Sequence, residues 1–175
     1  MSPTNGQSEA PILAADGLPV VPVESPPFLS LCVICGDEGV EGMERLLTSC
    51  LDRDSGPMFD EVSVYWNGSP EKKPECLKVS SWTTKHGFSV PILVKDGPWR
   101  NDFSWARQIS YEQANGPWRA YLDSDDIIAP SNSIAVQDSL ESASAFSTQD
   151  VGVGTLKQLL KELPPQVNAV WLPYN

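Results

Sequence analysis

Four short apolar runs, separated by stretches of helical or turn character, limit what this chain can fold into. The first, 28–35 (Phe-Leu-Ser-Leu-Cys-Val-Ile-Cys), has the length and apolar density of a buried strand. Gly36-Asp37-Glu38-Gly39 breaks it, and Val40, Met43, Leu47, Cys50 and Leu51 then recur at helical spacing, predicting a helix over 40–52. A second strand is expected at 61–66, ending in Asn67-Gly68-Ser69. Asn-Gly often marks a hairpin, but a Pro-Glu-Lys-Lys segment and an expected helix over about 74–82 follow, which favours a strand-to-helix turn. The third strand is expected at 90–94, where Pro91 suggests a strand start or a sheet edge. Ser104 can cap a helix over 105–113 with Gly116 as terminator, and a fourth strand occupies 118–122. Strands alternating with helices at this spacing make a mainly parallel α/β sheet.

The fourth run carries the strongest chemical signal. Trp-Arg-Ala-Tyr-Leu leads straight into Asp123, Asp125 and Asp126, three carboxylates within four residues. Such a cluster at the end of a buried strand is costly unless a positive charge sits on it. The usual compensator is a hard divalent cation with oxygen ligands, and ligands of open α/β sheets bind at the carboxyl ends of strands. The bland alternative is an acidic turn facing water. An EF-hand loop is a poor fit, because its sixth and twelfth positions counted from Asp123 are Ile128 and Ile134 rather than Gly and Glu.

The remaining segments are less informative. Residues 1–27 hold Pro3, Pro11, Pro19, Pro22, Pro26 and Pro27 with acidic and no basic residues; a flexible tail is expected, with 18–23 able to lie on the domain of 28–175. After Pro130 the chain turns serine-rich, giving a weak helix over 131–139 and a flexible insertion over 140–154. Thr155 and Gln158 form a capping box for a helix with an apolar stripe of Leu156, Leu159, Leu160 and Leu163, stopped by Pro164-Pro165. A last strand is expected at 167–172.

Charge and cysteine usage narrow the function classes. Twelve Lys and Arg against a net charge of −11 leave no large basic face for nucleic acid or anionic membranes. The start lacks the basic and apolar runs of a secretory signal, and no apolar segment approaches a membrane span, so a cytoplasmic protein is the expectation. Cys32 and Cys35 are spaced as Cys-x-x-Cys, but residues three apart on a strand point to opposite faces, so they are expected to pack in the core. A lone histidine, His86, gives little to a histidine-based metal site or a Ser-His-Asp triad.

Four segments, taken in order, resemble a family 2 glycosyltransferase of the GT-A fold. They are Leu-Cys-Val-Ile-Cys-Gly-Asp-Glu (31–38), Glu-Val-Ser-Val-Tyr-Trp-Asn-Gly-Ser (61–69), Trp99 with Asp-Phe-Ser-Trp-Ala-Arg (102–107), and Tyr-Leu-Asp-Ser-Asp-Asp (121–126). The Leu-Cys start and the Asp-Phe-Ser-x-Ala-Arg block resemble the branch of lipopolysaccharide-core glucosyltransferases and peptide glycosyltransferases. The likeness spans roughly residues 28–130. It implies a Rossmann-like, mainly parallel sheet with helices on both faces. It also implies a nucleotide-diphospho-sugar donor, most often UDP-linked, and Mn2+ or Mg2+. By position, Cys35 and Glu38 would line the base and ribose pocket and Asn67 would read the base. Arg107 would face the nucleotide, Asp123 would lie by the ribose and the metal, and Asp125 would bind the metal bridging the diphosphate. The acceptor would be a glycan, lipid or protein, and self-association stays open.

The sequence departs from that pattern in places. Trp66-Asn67 stands for an acidic pair, Gln108 for Asn, and Asp37 for the Asn before Glu38. Asn67 could instead serve a turn that needs a positive φ. Trp99 and Phe103 could stack on a base or sugar, although aromatics more often belong to the core. No downstream segment matches the family's catalytic base. No carboxylate follows Glu162 and three residues follow the last expected strand, so the chain is expected to bind donor but turn it over slowly unless a partner or further chain completes the site. If the base is within the chain, Asp138, Glu141 and Asp150 are its expected places. Two rival readings remain: a nucleotide-sugar-binding module without catalysis, and a nucleotidyltransferase, against which the acidic Gly36-Asp37-Glu38-Gly39 loop speaks.

Overall fold

The structure is a computed structural model that describes residues 21–22, 26–128 and 153–167. The helix expected over 131–139, the insertion up to residue 152, the last strand beyond Val167 and most of the proline-rich start lie outside the described residues. Within them the chain runs β1 (Val21–Pro22), β2 (Leu29–Cys35), α1 (Val40–Leu51), β3 (Glu61–Trp66), β4 (Ser81–Thr83), β5 (Phe88–Asp96), α2 (Phe103–Gln113), β6 (Trp118–Tyr121) and α3 (Val153–Glu162). Val21 and Pro22, expected in a flexible tail, pair in parallel with Phe88 and Ser89 of β5.

The sheet has the order β1-β5-β3-β2-β6, with β4 attached antiparallel to β5. Apart from β4 all pairings are parallel, so the chain forms a mainly parallel α/β sheet. β2, β3 and β5 step outward in one direction, and β6 then returns to the far side of β2. The place where winding reverses lies between β2 and β6, the position at which doubly wound sheets open a crevice beyond their carboxyl ends.

Both faces are covered, which explains why β2 and β3 are buried at every residue. On one face Met43, Leu46, Leu47, Cys50 and Leu51 of α1 pack with Leu31, Val33, Cys35, Val62, Val64 and Trp66, joined by Leu156 and Leu160 of α3. Each such side chain stabilises by about 1.5–3 kcal/mol. On the other face Ala106 and Ile109 of α2 meet Ile34 and Tyr65. Cys35 thus belongs to the α1 face, and the strand's alternation turns Cys32 the other way. All four cysteines are free, and burial pushes the Cys32 thiol to about 12 and that of Cys35 to about 11.

Three expectations are corrected here. The helix over 74–82 is replaced by short 3-10 turns at Pro70–Lys72 and Glu75–Leu77, followed by β4. Only Leu77 of the two turns is buried, so no apolar stripe holds a helix on the sheet. The cap of α2 is Asp102, whose side chain accepts from the Trp105 N–H, and Ser104 lies inside the helix. α3 begins at Val153, which places Thr155 within the helix rather than at its cap. Pro91 sits inside β5, where pairing passes from β4 (89–91) to β3 (92–96), so its missing N–H falls where the ladder changes partner.

A buried carboxylate ties this frame together at its lower end. Glu61, 3 % exposed, accepts hydrogen bonds from the Ser30 hydroxyl (2.8 Å), the Asn115 N–H (2.8 Å) and the Asn115 amide (2.6 Å). Ser30 in turn accepts from the Gly116 N–H at 2.9 Å. Glu61→Ala leaves these buried donors unpaired and is expected to cost about 3 kcal/mol in urea unfolding. A loss under about 1 kcal/mol would show that the network carries no stability of consequence.

Candidate functional site

Because β2, β3, β5 and β6 are parallel, the loops that follow them, 36–39, 67–69, 97–102 and 122–126, lie along one edge of the sheet. Three of the four resembling segments end in these loops, and the remaining one opens α2, which leaves the same edge.

The loops are fastened to one another in sequence. The Tyr65 hydroxyl donates to the Pro98 carbonyl (2.9 Å), and the Gly97 N–H donates to the Trp66 carbonyl (3.0 Å). The Asn67 N–H donates to the Cys35 carbonyl at 2.9 Å. Asp37 then clasps the β3 loop: it accepts from the Ser69 N–H (2.6 Å) and hydroxyl (2.8 Å) and pairs with Lys72 (3.1 Å). The Ser69 bonds, with Lys72 behind them, hold the Asp37 carboxyl below its usual range. This clasp was not foreseen, although Asp37 in place of Asn was a signal for it.

The acidic turn is seated on the start of α1. Ser124, 8 % exposed, packs against Gly39 and Gly42. A Cβ on Gly42 would collide with the Ser124 carbonyl oxygen and stand 2.8 Å from the Asp125 Cα. The glycines therefore let the turn close over the helix; a glycine inside a helical pattern was the available hint. The Ser124 hydroxyl and the Cys35 thiol both border Gly39, and Ser124 opposes the upward push of burial on that thiol. Asp126 folds back on the turn, its carboxylate accepting from the Asp123 N–H at 2.8 Å while its own N–H donates to the Asp123 carbonyl at 3.1 Å.

The expected site residues fall into three groups. Arg107 and Asp123 are brought together through Tyr121: the guanidinium stacks 4.2 Å from the Tyr121 ring centre, and the Tyr121 hydroxyl donates to Asp123 at 2.7 Å. Burial, then the bond to Asp123, pushes the phenol up to about 12, so it stays a donor. The hydrogen bond to Tyr121, with Asp123 nearby, raises Arg107. Cys35 and Asn67 form the second group. Cys35 contributes backbone only, its thiol being buried. Asn67 does not adopt a positive φ; its side-chain oxygen lies against Gly36, where a Cβ has no room. Glu38 and Asp125 form the third: both are exposed and make no hydrogen bond or ion pair among the described residues.

A cleft of about 440 Å3 opens between the β3 and β5 loops, lined by Trp66, Asn67, Gly68, Lys73, Asp96 and Pro98 among others. Lys73 and Asp96 pair across it at 2.8 Å. Trp66 forms its inner wall, and the indole Nε1 is the buried side-chain polar atom left without a partner among the described residues. A second hollow, about 460 Å3, lies between α1 and β4, lined by Glu44, Cys76, Val79 and Trp82; none of the expected site residues reaches it.

No protein-family model and no curated protein matches this chain. No group of three His, Cys, Asp or Glu side chains that could hold a metal occurs among the described residues. Asp123 and Asp125 are both exposed on the 122–126 turn. No described helix is long and apolar enough to cross a membrane.

Proposed function

We propose that this chain binds a nucleotide-diphospho-sugar, most often a UDP-sugar, and with a divalent ion transfers the sugar to an acceptor. The observation that carries the reading is the reversal of strand order between β2 and β6, which sets the 36–39 loop and the acidic 122–126 turn side by side where α/β sheets take nucleotides. The resemblance of the loop segments to family 2 glycosyltransferases supplies the substrate class.

In this reading the base enters the cleft between the β3 and β5 loops, meeting Asn67 and the wall of Trp66. The diphosphate reaches the acidic turn. There it would bring negative charge to carboxylates, a repulsion of about 1 kcal/mol per pair at contact in water and several-fold more when partly buried. Asp123 and Asp125 would hold Mn2+ or Mg2+, which when bound supplies the offsetting charge and Lewis acidity toward the departing diphosphate. Arg107, fixed on Tyr121, adds a positive group beside Asp123 without entering an ion cage. The catalytic base is unassigned, and Asp138, Glu141 and Asp150 lie outside the described residues. The rival reading of a binding module shares the donor site and differs only in turnover.

Thermal unfolding with UDP, GDP, CDP and dTDP, each with Mn2+, tests the donor assignment. UDP at about a hundredfold excess over Kd is expected to raise Tm by about 5 °C or more. Equal shifts with all four would remove the uridine assignment, and no shift with any would remove the donor site.

A further inference from the structure

We propose that the β5–α2 loop and the first residue of α2 carry a carbohydrate-binding platform, formed by Trp99 and Phe103, that stacks on the C–H face of a neutral pyranose ring. Both rings face solvent, Trp99 39 % and Phe103 61 % exposed, although aromatics of this size are ordinarily drawn into the core. They are also held in place. Their centroids lie 4.8 Å apart at 68°, which makes a corner rather than a flat stack. The Trp99 indole N–H donates to the Asn101 side chain at 2.8 Å, and Asn101 adopts the left-handed φ of 54° that aims it there. Below them Arg100 lies 4.2 Å over Trp105, Trp105 packs edge-on against Tyr65, and Asp102 caps α2. A loop so anchored, with an uncommon backbone conformation spent on orienting one exposed indole, fits a binding surface.

The surroundings choose the ligand. Arg100, Asn101, Asp102 and Ser104 are all exposed around the two rings, so the apolar area is small and has a polar rim. A protein partner would need a larger continuous apolar patch. A phosphorylated ligand would find a single cation around the rings, Arg100, offset by Asp102, on a chain of net charge −11. A neutral pyranose has one face of C–H groups and a rim of hydroxyls, which matches aromatic corner and polar border. Neither ring lines the nucleotide cleft, so the platform stands or falls separately from the donor reading.

Saturation-transfer NMR and calorimetry on the full chain without nucleotide, using maltoheptaose, cellohexaose, chitohexaose and mannohexaose, test the proposal. At least one is expected to bind with transfer concentrated on ring C–H protons. Trp99→Ala and Phe103→Ala should each weaken it by about tenfold, while Phe88→Ala, an exposed aromatic at the opposite end of β5, leaves it unchanged. Unaltered melting temperatures establish that the variants fold. Absence of binding by all four glycans, or binding that survives the Trp99→Ala/Phe103→Ala double variant, overturns the proposal, as does a preference for free uridine over every glycan at this surface.

Discussion

Gly42→Ala is expected to destabilise this protein by about 1–3 kcal/mol, the reverse of the usual sign. In a helix interior the exchange of glycine for alanine ordinarily adds up to about 1 kcal/mol of stability, because alanine loses less backbone freedom on folding. Here the added methyl meets main chain, the Ser124 carbonyl oxygen and the Asp125 Cα, and main chain cannot step aside as a flexible side chain could. Relief comes only by lifting the acidic turn off α1, so the functional effect should exceed the thermodynamic one. On the proposed donor site, UDP with Mn2+ should bind at least about tenfold more weakly, since the carboxylates would no longer stand where the diphosphate would arrive. Urea unfolding and calorimetry on the same preparation read both effects. A variant more stable than the parent would mean that the turn does not pack on the helix, and the site geometry described above would have to be abandoned.

Asp125→Asn should have the largest effect on ligand binding. The side chain is exposed and makes no hydrogen bond or ion pair among the described residues, so its removal breaks nothing that folds the chain. Without metal, stability should hold or rise slightly as the repulsion with Asp123 and Asp126 eases. With Mn2+ present, affinity for UDP should fall by more than about tenfold, because the proposed cation would lose one of its two charged oxygen ligands. Asp126→Asn is the informative contrast. Its side chain accepts from the Asp123 N–H, a role an amide oxygen can also fill, so the turn survives and affinity should change little. Equal losses in both variants would point to general electrostatics in place of a coordinated ion, and an unchanged Asp125→Asn would leave the metal assignment without its principal ligand.

The two variants separate ion binding from turn placement. Asp125→Asn alters charge and leaves the geometry; Gly42→Ala displaces the geometry and leaves the charge. Weak binding in both, restored by high Mn2+ only for Asp125→Asn, is the pattern expected when the turn is positioned by α1 and charged for a cation.

Much of the fold was legible because burial on both faces leaves a strong trace in sequence. β2 and β3 read as continuous apolar runs, and α1 reads from Met43, Leu47, Cys50 and Leu51 at helical spacing. The stretch between β3 and β5 misled for the converse reason. Its pattern had helical length but too little apolar surface to bury, and it forms turns and a short antiparallel strand. The acidic cluster, the Arg107 segment and the order of the loops were also visible locally, since each depends on neighbours in the chain.

Partnerships across the sheet were a different matter. The clasp of Asp37 on Ser69 spans 32 residues, and the Glu61 link to Asn115 spans 54. Nothing in local propensity records a hydrogen bond at that separation; it exists only once strand order has set the two loops side by side. The same holds for Trp99 and Phe103, whose exposure depends on what the rest of the chain leaves uncovered. Sequence alone determined β2, β3, β6, the core of β5, the buried faces of α1 and α3 and the carboxylates, because periodicity and composition act over a few residues. Tertiary structure alone decided which glycines admit the acidic turn and which carboxylate clasps a loop. It also decided which aromatics stay in water, because these depend on the order in which the strands lie beside one another.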